Sequence, residues 1–150
     1  MSDALVQPVM TDDQRGQDED MSETTHRAVR TTEAPTPVFA YSQAVASHGL
    51  LFVSGQVGID PTTRQVAQDF DGQLRRALEN VDAIARAAGA SLADAVRVGV
   101  YLARGDDFQA MDAVYREYFG EPLPARTTVT VGLQGVAVEV DAVIALRETP

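Results

Sequence analysis

Leu123-Pro124-Ala125-Arg126-Thr127-Thr128-Val129-Thr130-Val131 is the stretch on which the reading of this chain turns. It alternates as a strand does, with Val129 and Val131 on one face and Thr128 and Thr130 on the other. A single arginine stands at its mouth. A cation in such a place is costly unless an anion meets it, and arginine has the planar fork that grips a carboxylate through two parallel N–H bonds. A second alternating strand follows, Val136-Ala137-Val138-Glu139-Val140-Asp141-Ala142-Val143, and it carries Glu139 among valines. An arginine able to hold a small acid and a glutamate able to handle a water point to an enzyme acting on small carboxylates. An internal Arg126–Glu139 salt bridge is the structural alternative that these two strands leave open.

Working back from Leu123, the element order reads β-β-(β)-α-β-α-β-β. Tyr41 to Ser47 and Leu50 to Ser54 read as strands joined by a tight turn at His48-Gly49, and 58–64 as a turn region around Asp60-Pro61. Phe70, Leu74, Leu78, Val81, Ile84, Ala85 and Ala88 recur at helical spacing, with Asp69 or Asp71 to cap the start and Gly89 at the stop. Val96, Val98, Val100 and Leu102 alternate as a strand. A second helix over about 107–118, capped by Asp106-Asp107, carries Phe108, Met111, Val114, Tyr115 and Tyr118 on its apolar stripe. Tyr101, Tyr115 and Tyr118 read as packing residues, and Asp141 as a solvated or capping acid. The last two strands span about 125–131 and 136–146. Two helices cover one face of such a sheet. Because the last strand is apolar on both faces, the other face is expected to be buried against further subunits.

Composition divides the chain in two. Residues 1–33 hold eight acids against three arginines, with no aromatic and no periodicity, and read as a disordered acidic tail; residues 34–150 read as one domain. The tail has neither the basic start and apolar run of a signal peptide nor the composition of a transit peptide. No apolar run approaches membrane-spanning length, so the expectation is a soluble, cytoplasmic protein with no membrane partner. All twelve basic residues are arginines, which removes lysine Schiff-base chemistry. Cysteine is absent and histidine is limited to His26 and His48, which disfavours disulfides, thiolate nucleophiles, a Ser–His–Asp triad and any metal site. A net charge of −10 opposes nucleic acid as a partner.

Five motifs in order, Tyr41-Ser42-Gln43-Ala44-Val45, Leu51-Phe52-Val53-Ser54-Gly55-Gln56, Leu78-Glu79-Asn80-Val81, Pro124-Ala125-Arg126 and Val138-Glu139-Val140-Asp141-Ala142, resemble the Rid (YjgF) family of reactive-intermediate deaminases over about residues 34–147. The resemblance implies a chorismate-mutase-like α+β fold: a mixed sheet of about six strands, two helices on one face, and a homotrimer with sites between subunits. It implies cofactor-independent hydrolysis of 2-imino acids and their enamine tautomers, such as 2-iminopropanoate and 2-iminobutanoate, to 2-keto acids and ammonia. On that resemblance Arg126 grips the substrate carboxylate, Glu139 holds or activates water, Tyr41 closes the pocket, and Ser54 and Gly55 line it. Thr128 stands where many members have a cysteine, which implies a change in pocket size. The loops before Pro124 and over 132–136 are slightly short for a deaminase. Alternative readings are a pathway enzyme acting on another imine or enamine, and a non-catalytic trimer that binds a small acid; a ribonuclease is disfavoured by charge.

Overall fold

The pair His48-Gly49, with φ of 50° and 74°, is the tight turn of a hairpin, because both central residues take the left-handed backbone that matches the twist of the flanking strands. A computed structural model describes residues 25–147, and the hairpin sits near one end of its sheet. The strands are β1 (Arg27–Val29), β2 (Ala44–Ser47), β3 (Leu50–Val57), β4 (Ala95–Leu102), β5 (Ala125–Thr130) and β6 (Val138–Ala145); the helices are α1 (Phe70–Ala87) and α2 (Phe108–Tyr118). The sheet order is β1-β2-β3-β6-β4-β5. Every pairing is antiparallel except β4 with β5. The fold is therefore α+β on a mixed six-stranded sheet, as expected.

Strand β1 corrects the expected boundary at residue 33. Arg27–Val29 pairs with β2 as an edge strand, and both Val29 and Ala34 are buried in the core. Residues 30–43 are clipped to the sheet by the buried amide of Gln43. Its Oε1 accepts from Thr31 N, and its Nε2 donates to the carbonyls of Thr31, Ala34 and Pro35. A three-residue strand is too short to register as periodicity. The rest of the expected tail, residues 1–24, lies outside the described residues. The expected turn region at 58–64 is closed by an isolated bridge between Ile59 and Val66.

Helix α1 starts where Asp69 accepts from Gly72 N at 2.7 Å. Its buried stripe of Leu74, Leu78, Val81 and Ile84 lies against β3 and β6. Asn80, also buried, donates to the carbonyls of Val57 and Ile59 and so holds the exit of β3. Helix α2 departs from expectation at its start: Gly105–Asp107 forms a 3-10 turn, and Asp107 makes no side-chain capping bond.

Both helices pack on one face of the sheet. Along β6, Val138, Val140, Ala142 and Ile144 are buried on that face. Register places Glu139, Asp141 and Val143 on the other face, beside Phe52 of β3 and Arg97, Gly99 and Tyr101 of β4. No element among the described residues covers that second face, and Phe52 is 48% exposed there. Strand β5 is turned against its polarity. Arg126, Thr128 and Thr130 register with the buried Val98, Val100 and Leu102 on the helix side, which leaves Val129 outward and 39% exposed.

Candidate functional site

The candidate residues fall into two groups on opposite faces of the sheet. Arg126 stands on β5 under α2. Its Nη1 donates to Asp112 Oδ1 at 2.9 Å, and its guanidinium lies 4.7 Å from the ring centre of Tyr115 and 5.6 Å from that of Phe108. Both rings present their π faces to the cation, which adds attraction. Asp112 also accepts from Arg116 Nε at 2.9 Å. The hydrogen bond from Arg126, then that from Arg116, holds the Asp112 carboxyl below its ordinary range, so it remains an anion. Among the described residues only Nη1 of Arg126 has a partner; Nε and Nη2, the edge that meets a carboxylate in a fork, have none. Thr128, two residues on, shares this face. Its Oγ1 and the hydroxyl of Tyr115 are buried with no hydrogen-bond partner among the described residues. Burial pushes the Tyr115 hydroxyl up to about 12.

The other group gathers on the uncovered face. Glu139 is flanked by Val57 of β3 and Tyr101 of β4. Gly55, in the bulge where β3 shifts register against β6, lies so close to the Glu139 carboxyl that a Cβ at residue 55 would collide with it. Half-burial and then the nearby charge of Asp141 raise the Glu139 carboxyl above its ordinary value. Asp141 accepts from the Tyr101 hydroxyl at 2.8 Å and lies against Gly99, where a Cβ would likewise meet its Oδ1. Tyr101 and Asp141 are thus neither plain packing nor a solvated acid. They form a hydrogen-bonded pair beside Glu139.

Ser54 ties this group to Tyr41. Its hydroxyl donates to Ser42 O at 2.6 Å and its amide to Gln43 O at 2.9 Å. Tyr41 and Ser42 line a cavity of about 540 Å³ together with Arg30, Thr32 and Phe39. Gly55 and Glu139 are therefore in contact within one chain, with Ser54 beside Gly55 and bonded to the residue that follows Tyr41.

Arg126 is not among them. Glu139 registers with Tyr101 and Tyr101 with Val129, three residues beyond Arg126. At about 4.8 Å per strand and 3.3 Å per residue, the two backbones are on the order of 14 Å apart, with their side chains on opposite faces. The Arg126–Glu139 salt bridge left open by the sequence is not made; the partner of Arg126 is Asp112. Sequence reasoning missed Asp112, whose one visible cue was its spacing of four from Arg116, which reads as an ordinary solvent-facing helix pair. Among the described residues no helix is long and apolar enough to cross a membrane.

The sheet with two helices on one face is that of a known class, and the sequence matches the endoribonuclease L-PSP family over residues 31–146. The chain belongs to this family, which is that of the Rid (YjgF) and RutC proteins. It is 45% identical over 116 residues to a RutC family protein of Pyrococcus horikoshii, covering 75% of this chain and 92% of that one. It is 32% identical over 124 residues to a 2-iminobutanoate/2-iminopropanoate deaminase of Dermatophagoides farinae, covering 81% of this chain and 97% of that one. Among solved structures it is similar to RidA from the Antarctic bacterium Psychrobacter sp. PAMC 21119, at a TM-score of 0.77 and 36% identity over 80% of this chain and 99% of that one.

Proposed function

We propose that this protein hydrolyses reactive 2-imino acids and their enamine tautomers, of the 2-iminopropanoate and 2-iminobutanoate type, in sites formed between copies of a homotrimer. Water adds to the imine carbon, the nitrogen leaves as ammonia, and a 2-keto acid remains. The observation that carries this reading is Glu139: a half-buried carboxyl with raised proton affinity, without a cation partner among the described residues, held over a glycine. A base of that kind can take a proton from water near neutral pH, where an ordinary carboxylate is too weak.

Arg126 supplies the other requirement, a guanidinium edge for the substrate carboxylate. A charge-assisted hydrogen bond of this kind is worth roughly 1.5–3 kcal/mol. Since Arg126 and Glu139 of one chain face opposite ways, a site using both takes Arg126 from one copy and Glu139 from another. The uncovered face, with Phe52 and Val129 exposed upon it, is the surface for such an assembly. Tyr41 borders the pocket, and Ser54 fixes the bulge that presents Gly55. The deaminase named among the relatives supports the reaction class. RNA cleavage, carried in the name of the family, suits a chain of net charge −10 without lysine poorly.

The test is competition for an imine. An amino-acid oxidase generates the 2-imino acid in the presence of semicarbazide, and the purified chain is added. Reduced semicarbazone formation with the natural protein, but not with Arg126→Ala, is the expected result. No reduction across several amino acids would remove the proposal and favour a small-acid-binding trimer or an enzyme for another imine.

A further inference from the structure

We propose that Asp112 is a specificity-determining residue of this site: by occupying one nitrogen of Arg126 and keeping a negative charge beside it, it restricts the clamp to substrates bearing a single carboxylate. The inference rests on the imine-hydrolase reading above and adds to it a substrate class.

The geometry around Arg126 supports this in three ways. First, Asp112 takes Nη1 at 2.9 Å, and the sulfur of Met111 lies 3.8 Å from the same nitrogen, so that side of the fork is filled. The free edge is the width of one carboxylate. Second, the guanidinium and Asp112 side chains are only 22% and 27% exposed, whereas that of Arg116 is 72% exposed. The Arg126–Asp112 charges are thus felt at close range, while the more exposed Arg116 offsets the Asp112 charge only in part. An anion arriving at Nε and Nη2 meets a cation already half-neutralised. Third, the rings of Tyr115 and Phe108 line the guanidinium with π faces, which offer nothing to a second anionic group. Arg75 of α1, which reaches Glu117 of this helix, is shared with Asp71, so that cluster carries a net negative charge and offers no spare cation. A second carboxylate on the substrate would therefore find Asp112 and no free cation on these elements.

Binding of the stable keto-acid products separates this from a merely structural ion pair. The full-length protein is titrated with 2-ketobutanoate, which has one carboxylate, and with 2-oxoglutarate, which has two, by calorimetry. Imine trapping is run in parallel on the matching imino acids. Asp112→Asn keeps an oxygen for Nη1 and removes the charge. For one unit charge at close range and partial screening, it should tighten the monocarboxylate by roughly threefold and the dicarboxylate by roughly tenfold, with both gains shrinking in 0.5 M salt. Arg116→Gln, which leaves the Asp112 charge undiluted, should weaken both ligands by roughly two- to threefold. An unchanged ratio between the two acids in Asp112→Asn, or a loss for both, would overturn the inference and make Asp112 a brace for the arginine. If Asp112→Asn does not fold, Arg116→Gln decides, and unaltered binding there refutes the charge argument. Natural protein that hydrolyses imino acids while the ratio stays fixed sinks this inference alone. Natural protein that neither binds nor hydrolyses sinks the underlying reading, and this inference with it.

Discussion

Replacing Gly55 with alanine should lower the proposed activity on the order of 100-fold while leaving the fold intact. A methyl group built at residue 55 collides with Oε1 of Glu139 and lies 2.9 Å from its Cδ and 3.1 Å from its Cγ, where ordinary contact begins at 3.4 Å. The carboxyl carbon must retreat by at least half an ångström and the oxygens by more, by rotation about the Glu139 side-chain torsions. That rotation costs of order 0.5–1.5 kcal/mol. Alanine in a strand offsets part of it by lowering the entropy of the unfolded chain, by about 0.4–1 kcal/mol. The net change in stability should therefore stay within about 1 kcal/mol, or a melting shift of a few degrees for a domain of this size. The carboxyl, however, leaves the place from which, on the proposed mechanism, it addresses water. Misplacement of about 1 Å costs on the order of 100-fold in rate, equivalent to about 2.7 kcal/mol. The assay is imine trapping beside thermal unfolding of the same preparation. The decisive measurement is the double variant. If Gly55 acts through Glu139, adding Gly55→Ala to Glu139→Gln should cost less than about threefold more. Gly55→Ala with native melting and native activity, or losses that multiply in the double variant, would refute the reasoning.

Four further outcomes are expected. Arg126→Lys keeps the charge and loses the fork, so KM for the imino acid should rise by about tenfold or more, read by steady-state trapping. The carboxyl of Glu139 is raised from 4.5, so its folded-state stability is full below that pH and is lost as pH rises through the higher folded value. Activity should accordingly fall on the acid side with a midpoint above 4.5, and Glu139→Gln should raise the melting temperature at pH 8 but not at pH 4. Asn80→Leu removes the side-chain donor from the part-buried carbonyls of Val57 and Ile59, of which Val57 keeps its bond from the Ile59 amide, and should destabilise by about 1–2 kcal/mol, seen as a lower denaturant midpoint. Phe52→Glu places a charge at the centre of the uncovered face; if the proposed trimer forms through that face, sedimentation should show a trimer for the natural protein and monomers for the variant, and the proposed imine hydrolysis should vanish with the assembly.

Elements with a period of their own were legible in the sequence. The stripe of α1, the alternation of β4 and β6 and the His48-Gly49 turn are local signals, and each appears within a residue or two of its expected bounds. The apolar character of both faces of β6 also disclosed that the helices leave one sheet face uncovered. What stayed hidden depends on register. Whether Arg126 and Glu139 share a face is decided by how β5 aligns on β4 and β4 on β6, and a shift of one residue would reverse it. The same applies to Tyr101 and Asp141, which meet only because β4 and β6 bring Gly99 opposite Asp141. Asp112 reaches Arg126 across a helix–strand contact that no spacing announces. Strand β1 was invisible because three residues, two of them exposed, carry no pattern.

Strand β5 joins assembly to chemistry. In an isolated chain its arrangement is unfavourable twice over: Val129 faces outward, while Thr128 and Tyr115 bury hydroxyls on the helix side without partners among the described residues. An unmade buried hydrogen bond costs about 1–3 kcal/mol, and an exposed valine forfeits a contribution of similar size. Reversing the strand by one residue would free the Thr128 hydroxyl and bury the valine, but it would also carry Arg126 out to the face that holds Glu139 and away from Asp112 and the rings of Tyr115 and Phe108. The register adopted keeps the guanidinium in its aromatic and anionic setting and leaves the valine to be covered by something else. On the reading proposed above, a second copy does that covering and brings its own Glu139 toward the arginine. The pattern that looks unfavourable in one chain is then the condition for building the site from two.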